Sequence, residues 1–114
     1  MTELSNLDVQ KLEEYWMKYE KYKNQLKFAK EGNLPIEKEE QHYRTLQNIV
    51  SAIEKVYNQS NEDARTIINM RYWDKDNTFY DWEEIADRLF ISRSKTLRKR
   101  KLILHETAKY MGWI

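Results

Sequence analysis

Positive charge is concentrated in one short window near the carboxyl end of the chain. Seven of the 20 basic residues fall between Arg88 and Lys101, and no acidic residue lies among them. The rest of the chain has 13 basic residues against all 19 acidic ones, although the formal net charge of the whole is only +1. Lysine and arginine side chains without acidic neighbours bind phosphates well, so this window predicts a polyanion-binding surface.

The expected chemistry of this surface depends on a helix that begins beside it. Ser92 is a favourable N-cap, because its side chain can accept a hydrogen bond from an amide of the first helical turn. The positive end of the helix dipole and the following cations would face an incoming phosphate or base edge. The predicted DNA-binding residues are Ser92 at the cap, Arg93, Ser94, Lys95 and Arg98 for groove contacts, and Arg88, Lys99 and Lys101 for phosphates.

One acidic stretch imitates a metal site. Asp74, Asp76 and Thr78 begin like a calcium-binding loop, in which carboxylate and hydroxyl oxygens alternate along the chain. Phe79 occupies the position that needs glycine, and Ile85 stands where the final bidentate glutamate belongs. We therefore predict no metal at this loop.

Catalytic patterns are incomplete as well. Residues 92–95 match an S-x-x-K motif, but the partner motifs of that enzyme class are missing and helix capping explains the serine better. His42 and His105 are single histidines on separate predicted helices. The chain has no cysteine, which excludes disulfides and thiolate ligands. We expect neither enzyme activity nor a cofactor.

Apolar residues recur at intervals of three and four, the spacing of amphipathic helices. Only two glycines and one proline interrupt the chain, so the sequence predicts an all-α fold. Ser60 with Asp63 and Asp81 with Glu84 resemble capping boxes, and Gly112 is a favourable helix stop. The predicted helices cover residues 6–31, 36–58, 61–73, 82–90 and 93–111, with a polar loop at 74–78.

The last two predicted helices meet at a tight corner. Ala86 is small enough to allow a close approach, and Leu89 and Ile91 would fill the angle between the helices. A turn at residues 90–92 then gives a helix-turn-helix whose second helix carries the cations. An ordinary helical corner with a solvated charged face is the alternative interpretation, but the absence of balancing acidic residues favours DNA.

Three short motifs follow one another in the C-terminal half. They are Met70-Arg71-Tyr72 at a helix end, Glu83-Glu84-Ile85-Ala86 after the polar loop, and Ile91-Ser92-Arg93 at the corner. In order and spacing, residues 61–109 resemble the region-4 domain of bacterial sigma factors. The whole chain resembles the small phage late-gene transcriptional regulators of the RinA and ArpU type. This resemblance implies sequence-specific promoter binding alongside RNA polymerase.

Three positions differ from the sigma pattern. Phe90 stands where such turns usually carry glycine, Ser94 replaces a glutamate that reads a promoter base, and Asp81 replaces a threonine near phosphate. Phe90 therefore requires either a strained left-handed backbone or a different turn.

Two units and one function are expected from these observations. Residues 1–59 should form an antiparallel helical hairpin for interaction or dimerisation, and residues 60–114 a three-helix, sigma region-4-like helix-turn-helix domain. The resemblance implies a sequence-specific transcriptional regulator of a phage or prophage, a late-gene activator that binds double-stranded DNA with its recognition helix in the major groove. Two alternatives stay open: a module that binds RNA polymerase or another host protein, and a DNA-packaging subunit like a small terminase.

An aromatic stripe runs along the first predicted helix. It consists of Tyr15, Trp16, Tyr19, Tyr22 and Phe28. Their helical spacing favours core packing over the stacking of nucleic-acid bases. Because one small core needs less aromatic surface than this, we also expect a homodimer formed through the hairpin.

No segment of the sequence predicts membrane insertion. The first residues lack the basic and apolar regions of a signal peptide. No apolar run approaches the roughly 20 residues of a membrane-spanning helix. We therefore expect a protein of the bacterial host cytoplasm that does not bind membranes.

Overall fold

The computed structural model describes residues 4–30, 37–74 and 80–114. Over these residues the chain forms six α-helices and no strand, which confirms the predicted all-α class. None of these helices is long and apolar enough to cross a membrane. The predicted loop at 74–78 lies outside the described residues except for Asp74, which has no regular structure. The helices are α1 (Asn6–Met17), α2 (Tyr19–Lys30), α3 (Glu37–Gln59), α4 (Glu62–Arg71), α5 (Trp82–Leu89) and α6 (Arg93–Tyr110).

The prediction of a single helix over residues 6–31 is wrong, because the helix is interrupted at Lys18 and divides into α1 and α2. Lys18 has φ −97° and ψ 9°, which lies outside the helical region. The cause lies far along the chain: the indole N–H of Trp73 donates to the Trp16 carbonyl at 2.8 Å. A side chain that bonds a helical carbonyl interrupts the backbone ladder and bends the helix.

The helices α2 and α3 contact each other through a small apolar cluster. Leu26 of α2 packs with Leu46 and Val50 of α3, and all three side chains are buried. Nearer the start of α2, the Tyr19 hydroxyl donates to the Glu54 carboxylate at 2.7 Å. The predicted helix at 36–58 corresponds to α3.

The main core is one cluster to which α1, α3, α4, α5 and α6 all contribute. Its largest fully buried side chain is that of Trp16 in α1. The Trp16 indole N–H donates to the Thr107 hydroxyl of α6 at 3.1 Å, and Thr107 is also fully buried. The main core therefore contains residues from both sides of position 59, and the predicted division there stays a prediction. The cluster consists of Leu12, Trp16, Ile49, Ile53, Val56, Ile67, Ile68, Tyr72, Ile85, Ile103, Leu104 and Ala108.

The start of α4 differs from the predicted capping box of Ser60 and Asp63. Asn61 is the N-cap, and its side-chain oxygen accepts from the Ala64 amide at 2.9 Å. Ser60 instead bonds the end of the preceding helix, α3, because its hydroxyl donates to the Val56 carbonyl. A serine at a helix end can bond the carbonyl four residues back instead of capping forwards.

The start of α5 confirms the other predicted capping box. The Asp81 carboxylate accepts from the Glu84 amide at 2.8 Å, and the Glu84 carboxylate accepts from the Asp81 amide at 3.3 Å. The last helix, α6, stops as predicted, with Gly112 at φ 80°. Both ends were predictable because the groups involved are neighbours in sequence.

The turn after α5 has the strained left-handed backbone at Phe90, one of the two conformations that the sequence predicted for this position. Phe90 has φ 57° and ψ 38°, the only positive φ of a non-glycine residue in the described part of the chain. The Ile91 amide donates to the Ala86 carbonyl and the Phe90 amide to the Asp87 carbonyl, both at 3.2 Å, which is a Schellman motif. This motif needs a left-handed residue, for which a side chain costs about 1–2 kcal/mol.

Replacing Phe90 with glycine should raise the free energy of unfolding by about 0.5–1 kcal/mol. Glycine adopts the left-handed conformation without strain, and the phenyl ring is 95% exposed, so little packing is lost. Urea unfolding of the wild type and of Phe90→Gly measures the change. Phe90→Ala is the matched control, since it removes the ring but keeps the strain. Equal stability of the glycine and alanine variants would contradict the explanation.

Candidate nucleic-acid interface

The first two turns of α6 carry most of the predicted DNA-binding side chains. Ser92 caps the helix as predicted, because its hydroxyl accepts from the Lys95 amide at 3.1 Å. Thr96 fixes the rotation of the helix, since its side chain is fully buried and its hydroxyl donates to the Ser92 carbonyl at 3.0 Å. With Thr96 turned inwards, Arg93 and Lys95 are exposed.

Exposure separates the eight predicted residues into two groups. Lys99 is half-buried, and its ammonium lies 3.6 Å from the Asp63 carboxylate of α4. Such a partly exposed pair contributes little to stability, but it offsets part of the charge that Lys99 presents. The other seven are exposed: Arg88 on α5, and Ser92, Arg93, Ser94, Lys95, Arg98 and Lys101 on α6 or at its cap.

Arg100 is the member of the basic window that faces the interior. Its guanidinium donates to the Glu13 carboxylate of α1 at 3.0 Å and lies 5.2 Å from the centre of the Trp82 ring. The Arg100 side chain is 26% exposed and that of Glu13 is 16% exposed. A charged hydrogen bond between partly buried groups is strong and directional. Arg100 therefore anchors α6 to α1 on the inner side of the helix, while the adjacent Lys101 is exposed to solvent.

A polar network around Trp82 joins four helices beneath the basic surface. The Tyr72 hydroxyl donates to the second oxygen of Glu13 at 2.6 Å. The Arg71 guanidinium also lies over the Trp82 ring, 4.8 Å from the ring centre, and it donates a hydrogen bond to the Tyr80 carbonyl at 2.9 Å. Burial, together with the charge and the hydrogen bond of Glu13, raises the pKa of Tyr72 well above its ordinary value of 10.0. Tyr72 is therefore a hydrogen-bond donor throughout the physiological pH range.

Sequence reasoning missed this network, although Arg71 and Tyr72 belong to a motif that it singled out. Glu13 and Arg100 are 87 positions apart, and no residue next to either of them in sequence indicates that they pair. The only local signal was the aromatic residue Trp82 directly after a helix cap.

The outer face of α5 has the opposite charge to the first turns of α6. Glu83, Glu84 and Asp87 are exposed there, and the capping residue Asp81 adds a fourth exposed acid. Arg88 is the only basic residue of α5. The sign of the surface charge thus changes at the turn, a feature that the net charge of the window did not reveal.

The aromatic stripe divides between the core and the surface. Trp16, the most buried member, lies 5.6 Å from Trp73 and 6.2 Å from Tyr72 between ring centroids. Tyr19 stacks on Trp73 at 5.1 Å. Core packing is therefore confirmed for these members, whereas Phe28 is 63% exposed. Homodimerisation through this region stays a prediction.

The residues that imitate chemical sites are not assembled into one within the described ranges. No group of three or more histidine, aspartate or glutamate side chains there could hold a metal ion. Asp76 and Thr78 of the calcium-like stretch lie outside those ranges. Ser92 of the S-x-x-K motif is occupied as a helix cap.

No protein-family model, curated protein or solved structure matches this chain.

Proposed function

We propose that this chain is a sequence-specific DNA-binding transcriptional regulator, a late-gene activator of a phage or prophage that acts at a promoter. The observation that carries the proposal is the cluster of exposed cations on the first turns of α6, beside a capped and oriented helix start. Arg93, Lys95 and Arg98 are all exposed there, and no acidic residue occurs between Arg88 and Lys101. A helix of this kind fits the major groove of B-form DNA.

In this proposal α4, α5 and α6 form the helix-turn-helix unit, with α6 as the recognition helix. The three-residue connection from Leu89 to Arg93 and the close packing of Ala86, which is buried, support it. Residues 1–59 form the unit that serves interaction or dimerisation, with α2 and α3 as the antiparallel arms of its hairpin. Two contacts support the antiparallel arrangement. Tyr19, at the start of α2, bonds Glu54 late in α3, whereas Leu26, further along α2, packs against residues nearer the start of α3.

The predicted residues divide between two roles in the complex. Arg93, Ser94, Lys95 and Arg98 read base edges, because the start of the recognition helix is the part that reaches them. Arg88, Lys99 and Lys101 bind phosphates and fix the register of the protein on the duplex. The half-buried Lys99 must exchange its contact with Asp63 for a phosphate to do so.

Selection from a random duplex library, followed by salt titration, tests the proposal. Purified protein should enrich one sequence motif, and its affinity for that duplex is then measured by fluorescence anisotropy. Three phosphate contacts predict that the logarithm of the association constant falls with the logarithm of salt concentration with a slope of about −3. A scrambled duplex of the same composition is the control. Equal binding of selected and scrambled duplexes would contradict sequence-specific recognition, and no binding at all would contradict DNA binding.

A further inference from the structure

A surface cleft lies at the turn between α5 and α6, on the acidic side of that turn. Its volume is about 400 Å³, enough for one or two side chains. Met70 at the end of α4, Tyr80 before α5, and Phe90 supply its apolar walls. Carboxylates and one guanidinium on the outer face of α5 form its rim. The rim residues are Glu84, Asp87 and Arg88.

The Phe90 ring is not explained by folding. The Schellman motif requires a left-handed backbone at this position, which glycine or asparagine provides with less strain than phenylalanine. The ring is 95% exposed, so it receives almost no compensating burial within the chain. A strained backbone and an exposed aromatic side chain at one position indicate a surface that is used in binding.

The opposite wall of the cleft is held in place. The Arg71 guanidinium donates to the Tyr80 carbonyl at 2.9 Å and also lies against the Trp82 ring. Tyr80 and Met70 both pack against the main core and are only partly exposed. The cleft is therefore largely preformed, which lowers the entropic cost of binding.

The charge of the rim identifies the kind of partner. Glu84 and Asp87 are exposed beside the cleft and outnumber the single cation of its rim, Arg88. Carboxylates repel the phosphates of nucleic acid and attract lysine and arginine side chains.

We infer that this cleft binds a protein segment that carries an apolar side chain flanked by basic residues. The apolar side chain inserts between Phe90, Tyr80 and Met70, and the basic residues pair with Glu84 and Asp87. A buried apolar anchor with charged groups at its edge is a common arrangement of protein interfaces. This inference does not rest on the proposed DNA binding, although Arg88, to which a phosphate contact is assigned there, also lines the cleft.

The test uses the full chain and a capped synthetic pentapeptide with one leucine between two arginines. Binding is followed by NMR of the methionine methyl groups, because Met70 lines the cleft while Met17 and Met111 lie elsewhere. The Met70 signal should shift in a saturable manner with an affinity of about millimolar, as expected for a short ligand in an open cleft. A matched peptide with serine in place of leucine should give no saturable shift.

Variants of the cleft decide the assignment. Phe90→Gly and the double variant Glu84→Gln, Asp87→Asn should each weaken peptide binding at least about fivefold, since they remove the anchor contact or the charge pairs. Glutamine retains the capping bond of residue 84. Glu83→Gln is the matched control, because this exposed acid of α5 does not line the cleft, and its affinity should change less than about twofold. Unshifted Met17 and Met111 signals report that each variant is folded.

Other results overturn the inference. It is wrong if the Met70 signal does not move with the leucine peptide, or if Phe90→Gly binds that peptide as well as the wild type does. It is also wrong if the duplex selected by the protein shifts Met70 and Phe90→Gly loses affinity for that duplex, because nucleic acid would then be the occupant. Failure of DNA binding alone leaves the peptide measurements unaffected and so counts only against the proposed function.

Discussion

Exchanging Arg93 and Lys95 for glutamate should lower the affinity for the selected duplex by about two orders of magnitude or more. Both side chains are exposed on the first turn of α6, where a recognition helix reaches base edges. The exchange removes two attractive contacts and places two carboxylates against the phosphate backbone. Fluorescence anisotropy at fixed salt concentration measures the loss.

The same double variant should keep its helix. Lys95→Glu puts a carboxylate at the third helical position and so completes a capping box with Ser92, which already accepts from the amide of residue 95. Carboxylates near the positive end of a helix dipole also stabilise it. Far-UV circular dichroism should therefore match that of the wild type, and loss of binding cannot be attributed to unfolding.

A matched control separates local contact from net charge. Lys21→Glu with Arg44→Glu makes the same change in net charge at exposed positions of α2 and α3. This control should retain most of the affinity. Asn48, one helical turn from Arg44, bonds the Met111 carbonyl at the opposite end of α6 from Arg93, and charges that far from the first turn of α6 are screened by salt. If the control loses as much affinity as the double variant of α6, the recognition-helix assignment is wrong.

Trp16→Ala should lower the free energy of unfolding by about 3–5 kcal/mol. The indole is fully buried in the main core, and it contacts the rings of Tyr72 and Trp73. Its removal leaves a large cavity and takes away the hydrogen bond to Thr107. Urea denaturation followed by circular dichroism measures the change, and a variant that is unfolded in water meets the expectation.

The variant Trp16→Phe separates the loss of the hydrogen bond to Thr107 from the loss of buried volume. Phenylalanine fills much of the same volume but cannot donate to Thr107, so the loss should be smaller, about 1–2 kcal/mol. Thr107 keeps its own donation to the Ile103 carbonyl at 2.7 Å. If Trp16→Ala costs less than about 1 kcal/mol, α1 is not part of the common core.

Local signals in the sequence were sufficient for most helix ends. Two of these ends are the capping box of Asp81 with Glu84 and the cap at Ser92. Each depends on residues only three positions apart, so both partners can be recognised in one short stretch of sequence. The same logic failed at Ser60. There the hydroxyl had two acceptable uses, and the neighbouring Asn61 provided the cap instead.

Long-range contacts account for what the sequence did not reveal. The break at Lys18 follows from a bond between Trp73 and the Trp16 carbonyl, 57 positions apart. The inward orientation of Arg100 follows from Glu13 in the first helix. Spacing along the chain predicts which face of a helix is apolar, but it contains no information about which distant carboxylate will pair with one of seven cations.

The sharing of one core between α1 and α6 has a consequence for genetics. Trp16 and Glu13 lie far from the exposed cations in sequence, yet they hold α6 through Thr107 and Arg100. A loss of 1–2 kcal/mol in stability changes the amount of a protein in the cell several-fold, through proteolysis of the unfolded chain. A random mutagenesis screen for inactive alleles should therefore recover α1 positions alongside α6 positions, and protein abundance should distinguish the two classes.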